Sequence, residues 1–296
     1  MLVTLLGTGS PVPSATRFGN STLVQAGGLN LVFDAGRGAA IRLAQAGVPV
    51  GEVDGVFITH FHSDHVNGLD DLWLTGYIPA LGGRPSGQLD LYGPTGVKDL
   101  AQNLTKAFEG DIATRVADAE VDRTTTKLVP HESARDGIVF DRNGVRVRMF
   151  TVDHDPGHAI EPAVGYRVDY GRHSVLISGD TRPTPNVLRW GQGVDVLIHE
   201  VADFPDPTLP AIQGVYAHHT NPRQAGEIFA RTRPQMAVYS HIVRGAPPRI
   251  PNVPLSVIAQ RTRETYGGPL TIGEDLTRFV IDRDGVAVVP HYAEND

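Results

Sequence analysis

Alternating apolar and polar positions mark a succession of short strands along the chain. Residues 2–6 alternate into Gly7-Thr8-Gly9-Ser10 and then Pro11 and Pro13, a strand followed by a proline-stiffened loop. Residues 22–26 and 29–33 flank Gly27-Gly28 and read as a hairpin. Over 38–46 the apolar positions switch to helical spacing, until Gly47 and Pro49 stop the run. Strand 55–58 precedes a helix over 67–77 whose Leu69, Leu72 and Trp73 share one face and read as core. Strand 88–92 is closed by Gly93-Pro94, and an amphipathic helix covers 97–108. The acidic, threonine-bearing stretch 111–127 reads as an irregular surface connection. Segments 138–140, 145–152, 164–170 and 174–177 then form an antiparallel meander turned by Asn143-Gly144 and Gly171-Arg172. Strand 194–198, a helix over 222–231, strand 236–239, a helix over 255–265 and strands 277–281 and 286–289 complete the chain. Strands and helices recur in both halves in a similar order. The expected architecture is α/β (α+β): one domain over 1–296, built from two related halves, with two sheets and helices outside them.

Composition narrows this picture without changing it. Hydrophobic residues make up 41% and charged residues 20% of 296, ordinary for a globular enzyme, and 33 Gly with 22 Pro fit many tight turns. There is no cysteine, which excludes disulfides and thiolate metal sites and leaves nitrogen and oxygen as the only ligands. Met1-Leu2-Val3-Thr4 carries no basic residue ahead of its short apolar run and suits a first strand better than a signal peptide, so a cytoplasmic location is expected. No apolar stretch approaches the ~20 residues that cross a bilayer, and no membrane partner is expected. A net charge of −7 argues against a broad nucleic-acid footprint.

Candidate chemistry concentrates in Thr59-His60-Phe61-His62-Ser63-Asp64-His65, directly after an apolar strand. On extended backbone His60 and His62 face one way, and a turn at Ser63 lets Asp64 and His65 address a second point nearby. One segment can therefore feed two metal ions. Four side chains are too few for two ions, so further donors are expected at later strand ends. Asp153-His154, Gly179-Asp180 and Ser240-His241 all fall there. Asp180 can give one oxygen to each metal and hold them ~3.5–4 Å apart. His158, four residues beyond His154, is an alternative ligand. With seven ligands assigned, His199 and His219 are left over; His219 is the choice for proton handling, and His199 for a structural neighbour held by hydrogen bonds. Asp34, between a strand and a helix, is expected to cap that helix or to support the site from behind. Arg244 reads as a surface arginine, with contact to an anionic substrate group as the sharper alternative.

Together, residues 59–65 with Gly68-Leu69 resemble the HxHxDH signature of the metallo-β-lactamase fold. Leu6-Gly7-Thr8-Gly9-Ser10, Asp34-Ala35-Gly36, Ser178-Gly179-Asp180-Thr181, His199-Glu200, Ser240-His241 and the segment 219–225 resemble its ribonuclease Z branch. The resemblance spans nearly the whole chain. It implies an αββα four-layer sandwich with two Zn²⁺ ions, Mn²⁺ or Fe²⁺ being alternatives by ligand type. His60, His62 and His154 would hold one ion, Asp64, His65 and His241 the other, and Asp180 would bridge, with Asp64 and His219 as catalytic residues. Transfer-RNA 3′-processing members carry a long protruding arm, and nothing between Leu81 and Gly93 or between Leu128 and Arg146 is long or basic enough for one. Residues 71–77 and 107–112 resemble arylsulfatase-related members instead. The expected activity is thus a binuclear hydrolase of sulfate or phosphate esters, arylsulfatase- or phosphodiesterase-like, using a metal-bridging hydroxide on a small anionic ester. The alternative is ribonuclease Z-type RNA cleavage. A homodimer with Trp73, Leu74 and Tyr77 at its interface completes the expectation.

Overall fold

The computed structural model describes residues 1–84, 87–157 and 159–290. Its first sheet is built from β1 (Leu2–Gly7), β2 (Ser21–Ala26), β3 (Leu29–Phe33), β4 (Gly55–Phe57), β5 (Leu89–Pro94), β6 (Leu128–Ser133), β14 (Arg278–Asp282) and β15 (Gly285–Val289), in the order β15-β14-β1-β2-β3-β4-β5-β6. A second sheet holds β7 (Gly137–Arg142), β8 (Val145–Thr151), β9 (Val164–Tyr170), β10 (His173–Ile177), β11 (Val196–Ala202), β12 (Met236–Val243) and β13 (Leu270–Ile272), in the order β13-β12-β11-β10-β9-β8-β7. Each sheet begins antiparallel and turns parallel, at β3–β4 in the first and at β10–β11 in the second. The helices are α1 (Ala39–Gln45), α2 (Ser63–Val66), α3 (Leu69–Gly76), α4 (Val97–Ala107), α5 (Glu109–Ala117), α6 (Pro185–Trp190), α7 (Pro210–His218), α8 (Pro222–Thr232) and α9 (Leu255–Arg263).

Period-2 alternation decides which layer each strand residue joins. On β3, Leu31 and Phe33 enter the core between the sheets, while Val32 points to the helices outside. On β10, Val175 and Ile177 face inward and Leu176 outward; on β11, Val196 and Ile198 face inward and Leu197 outward. Trp73, Tyr77, Val97 and Ile112 pack α3–α5 onto the first sheet, and Ala225, Phe229 and Ile258 pack α8 and α9 onto the second. The result is helix, sheet, sheet, helix, the four-layer sandwich of the metallo-β-lactamase fold.

Several expectations need correction. The stretch 111–127 is largely helical: α5 buries Ile112, pairs Asp111 with Arg115 at i,i+4, and is tied to α3 by Tyr77 donating to Asp111 at 3.2 Å. The helix expected over 67–77 is α3, and the metal loop before it, expected as a turn, contains a separate short helix, α2; between them Gly68 sits against Gly36, where an added Cβ would lie 2.3 Å from the Gly36 carbonyl oxygen. β11 and β12 run past their expected ends. Of the residues expected at a dimer interface, Trp73 and Tyr77 are fully buried within the helical layer and Leu74 is half-buried.

Candidate metal centre

The site forms where strand ends of both sheets face one another. After β4 the chain bends at Thr59 and is extended again at His62, which precedes α2, and α2 then carries Asp64 and His65 inward; both are buried. His154 follows β8 and Asp180 follows β10. His241 was expected just past a strand and instead lies inside β12. There the β11–β12 register slips between His199 and Val201, and the His241 backbone takes φ 46. A bulge of this kind re-aims a side chain that regular alternation would send elsewhere. It turns His241 toward Asp64, whose Oδ2 is 3.0 Å from His241 Nε2.

Two donor groups that share no residue result: His60, His62, His154 and Asp180 form one, Asp64, His65 and His241 the other, with donor atoms within 4.8 Å of one another in each; Asp180, His219 and His241 form a third that overlaps both. Asp180 Oδ2 lies between them, 3.9 and 3.8 Å from Nε2 of His60 and His154, and 3.4 and 3.3 Å from Nε2 of His65 and His241. His62 Nδ1 is 3.3 Å from His154 Nε2. A tetrahedral ion with ~2.05 Å bonds to nitrogen sets neighbouring donors about 3.3 Å apart, so the shorter of these separations are those of ligands around a common centre. His158 lies outside the described residues.

Unfilled atoms point the same way. His60 Nε2, His65 Nε2 and Asp180 Oδ1 are buried without a hydrogen-bond partner. Buried polar atoms are ordinarily paired, and a cation satisfies imidazole lone pairs and carboxylate oxygens at once. The residues therefore fit a metal. Tautomers are set from behind: His65 Nδ1 donates to Asp34 Oδ2 at 2.7 Å and His154 Nδ1 to the His218 carbonyl at 3.0 Å, leaving both Nε2 atoms to face the centre. Burial, aided by the charge of His65, holds His60 well below the usual histidine range, and burial brings His154 down to about 4, so both are neutral and ready to ligate. Burial alone would raise Asp180, but the surrounding His241, His65 and His60 outweigh it and keep the carboxylate ionised.

Asp34 supports the site and caps nothing, since α1 starts at Gly38 without a side-chain cap. Its carboxylate accepts from Thr59 N at 2.8 Å, Thr59 Oγ1 at 2.9 Å and Asn20 Nδ2 at 3.0 Å as well as from His65. Asn20 and Thr59 escaped the sequence reading. No spacing rule singles out a lone Asn after a glycine, and it is the β2–β3 pairing, with Thr22 opposite Phe33, that brings Asn20 to Asp34. Glu200 was also passed over. Its Oε1 accepts from Thr220 N at 2.9 Å and Thr181 N at 3.2 Å and lies 3.2 Å from His219 Nδ1, a charge-pairing distance off the ideal hydrogen-bond line. Burial would depress His219, yet the Glu200 charge more than reverses this and raises it to about 9. His199 donates to its neighbour's carbonyl at 2.7 Å and packs edge-on against Phe229, a structural role. His62, Asp64, Asp180 and His241 line a 340 Å³ cavity together with His218 and His219, and Phe204, Ile212, Val215, Val243 and Ile250 wall it.

Residues 1–210 match the family model described as anti-Pycsar protein Apyc1. A ribonuclease Z from Mycolicibacterium gilvum (strain PYR-GCK) is 33% identical over 295 residues, covering 97% of this chain and 98% of that protein. Among solved structures, the metallo-β-lactamase fold protein YhfI from Bacillus subtilis superimposes with a TM-score of 0.72 at 18% identity, over 94% of this chain and 98% of that one. The human tRNase Z short form gives 0.69 at 21%, over 95% and 100%. These relatives do not support the arylsulfatase-related subgroup. The segments that suggested it are the α3 core face and the α4–α5 junction, where Leu72, Trp73 and Phe108 answer to packing against the first sheet rather than to a substrate. Architecture, donor set and full-length similarity together establish that the chain belongs to the ribonuclease Z-related family of metal-dependent hydrolases with the metallo-β-lactamase fold.

Proposed function

We propose that this protein is a metal-dependent phosphodiesterase working with two ions, one held by His60, His62 and His154, the other by Asp64, His65 and His241, with Asp180 shared. The observation that carries the reading is the convergence of seven nitrogen and oxygen donors, several at the spacing of a tetrahedral ion, four of which (His62, Asp64, Asp180 and His241) open onto a cavity whose wall is largely apolar. When bound, such ions lower the pKa of water toward neutrality and offset charge building on a phosphoryl group. The chain supplies the rest. Asp64 Oδ2 faces the same space and orients the attacking water. His219, kept protonated by Glu200, hands its proton to the departing oxygen. Phe204, Ile212 and Val215 take the apolar body of a compact ester and exclude bulk water.

A phosphodiester is favoured over a sulfate ester because relatives a third identical over their whole length are named as ribonucleases, and ribonucleases cut phosphodiesters. Cleavage of RNA in the manner of ribonuclease Z is the second reading, favoured by that same name. Among the described residues no protruding arm leaves the fold at the short turns 134–136 and 143–144, but a relative named ribonuclease Z matches this chain over 98% of its own length, so that feature does not separate the two readings. The test sets bis-p-nitrophenyl phosphate, p-nitrophenyl sulfate and precursor transfer RNA side by side on zinc- and manganese-loaded protein. Hydrolysis of the phosphodiester, abolished by chelation, is expected. Turnover of the sulfate alone, or undiminished turnover without metal, overturns the proposal, and a precursor cleaved far faster with steeply salt-dependent binding selects the RNA reading.

A further inference from the structure

Beside the metal cavity lies a second one of 210 Å³, and the two share Ser10, Val12 and Gly245 as a common rim. Two guanidinium groups line it, Arg17 from the loop after β1 and Arg244 from the end of β12. Arg17 is fixed by donating to Thr8 Oγ1 and to the Gly273 carbonyl, both at 2.6 Å. Arg244 donates to the Val253 carbonyl at 3.0 Å and has no carboxylate at ion-pair distance among the described residues. The two are brought together by Ile242 N donating to Thr8 O at 3.0 Å, which ties the end of β12 to the loop that carries Arg17.

Nearby acids serve Arg17 and leave Arg244 without a carboxylate partner among the described residues. Asp275 already accepts from Thr8 N, Thr8 Oγ1 and Phe18 N and forms a 2.9 Å ion pair with Arg42. Glu274 is mostly exposed and 4.0 Å from Arg17. Burial lowers the Arg17 pKa and Arg244 adds to that, against the pull of Asp275 and Glu274, so the two positive charges act on each other across the cavity. Two like charges held at one cavity gain most from an anion between them, and guanidinium forks match phosphate oxygens.

We infer that the Arg17–Arg244 cavity binds a second phosphate of the substrate, one covalently tethered to the diester at the metal centre. This inference rests on the phosphodiesterase reading and adds a substrate class: esters that carry a further phosphate beside the scissile one. That group could be the next link of a polynucleotide backbone or the terminal phosphate of a small ester, and both present the same oxygens.

The test compares a dinucleoside monophosphate with its terminally phosphorylated form on metal-loaded protein, with a trinucleotide as the third substrate. Wild-type protein is expected to prefer the terminally phosphorylated form in kcat/KM by at least about tenfold, the scale of a charge-assisted contact. Arg244→Gln should remove that preference and Arg244→Lys should restore part of it. A trinucleotide preferred equally well identifies a backbone phosphate, whereas a preference confined to the terminal monophosphate identifies a small ester; either supports the site. No preference in the wild type, or equal loss on both dinucleotides with the ratio intact in Arg244→Gln, overturns it. If the wild type hydrolyses none of these substrates or bis-p-nitrophenyl phosphate, the phosphodiesterase reading has failed. Calorimetric dissociation constants for the same pair then decide the anion site by the same ratio.

Discussion

At the scale of single residues, Asp180 and Asp34 hold contrasting positions. Asp180 Oδ2 lies within 3.9 Å of four histidines of both donor groups, so Asp180→Ala is expected to lower metal content on both sides, read by metal analysis of the purified variant. Full loading with activity would show that the carboxylate is dispensable. Asp34 touches no donor centre directly, and Asp34→Ala leaves the His65, Thr59 and Asn20 hydrogens unpaired in a buried space. Metal affinity should fall about 10- to 100-fold, measured by chelator competition. His219→Ala should slow esters with poor leaving groups far more than nitrophenyl esters, and a uniform loss would remove its role as acid. The donors themselves were legible in the sequence, because His60, His62, Asp64 and His65 fall within six positions and His154, Asp180 and His241 each follow an apolar run. Their support was not: Asn20, Thr59 and Glu200 become meaningful only when β2, β3 and β4 are paired and β11 is set opposite them.

At the scale of elements, the strands were readable wherever one face was buried, as along β3 and β10, and were cut short where chemistry interrupts the alternation. β11 and β12 carry His199-Glu200 and Ser240-His241 in their interiors, and polar residues there read as strand ends although the ladder resumes at Val201–Ile242. Helices were missed for a different reason. α6 and α7 both start with proline at the first helical position, inside proline- and aspartate-rich stretches whose composition signals loop. α8 was readable because it opens with a full capping box, Asn221 with Gln224. That cap lies two residues after His219, so Asn221→Ala is expected to lower stability by about 1 kcal/mol in urea unfolding while leaving metal content intact. Glycine packing limits the metal loop more severely. A Cβ on Gly36 would sit 2.4 Å from the Asp64 carbonyl oxygen, so Gly36→Ala should displace α2 and weaken metal binding.

At the scale of the whole molecule, the site is a seam: His60, His62, Asp64 and His65 come from the first sheet's side, His154, Asp180 and His241 from the second's. Stripped of metal, this cluster makes stability depend on pH in two opposite ways. His154, held near 4, and His60, also depressed, stay neutral in the folded state, so their contribution is lost as pH falls from about 6.5 toward 4 while the unfolded chain takes up protons. His219, raised to about 9, keeps its proton in the folded state, so its contribution is complete below about 6.5 and is lost as pH rises through 9. Thermal melts of chelator-treated protein should therefore peak near pH 6.5, and a flat profile would contradict the burial of these groups. Returning zinc at about a thousand times its dissociation constant should add about 4 kcal/mol.

The seam also orders events during synthesis. β1 is made before the other described strands yet pairs with β14, made after all of them but β15, and the seventh donor follows Ser240. A nascent chain halted before that point carries an unfinished first sheet and an open coordination sphere. Metal capture is then a late step of biogenesis, and arrested chains should retain no zinc while released ones do.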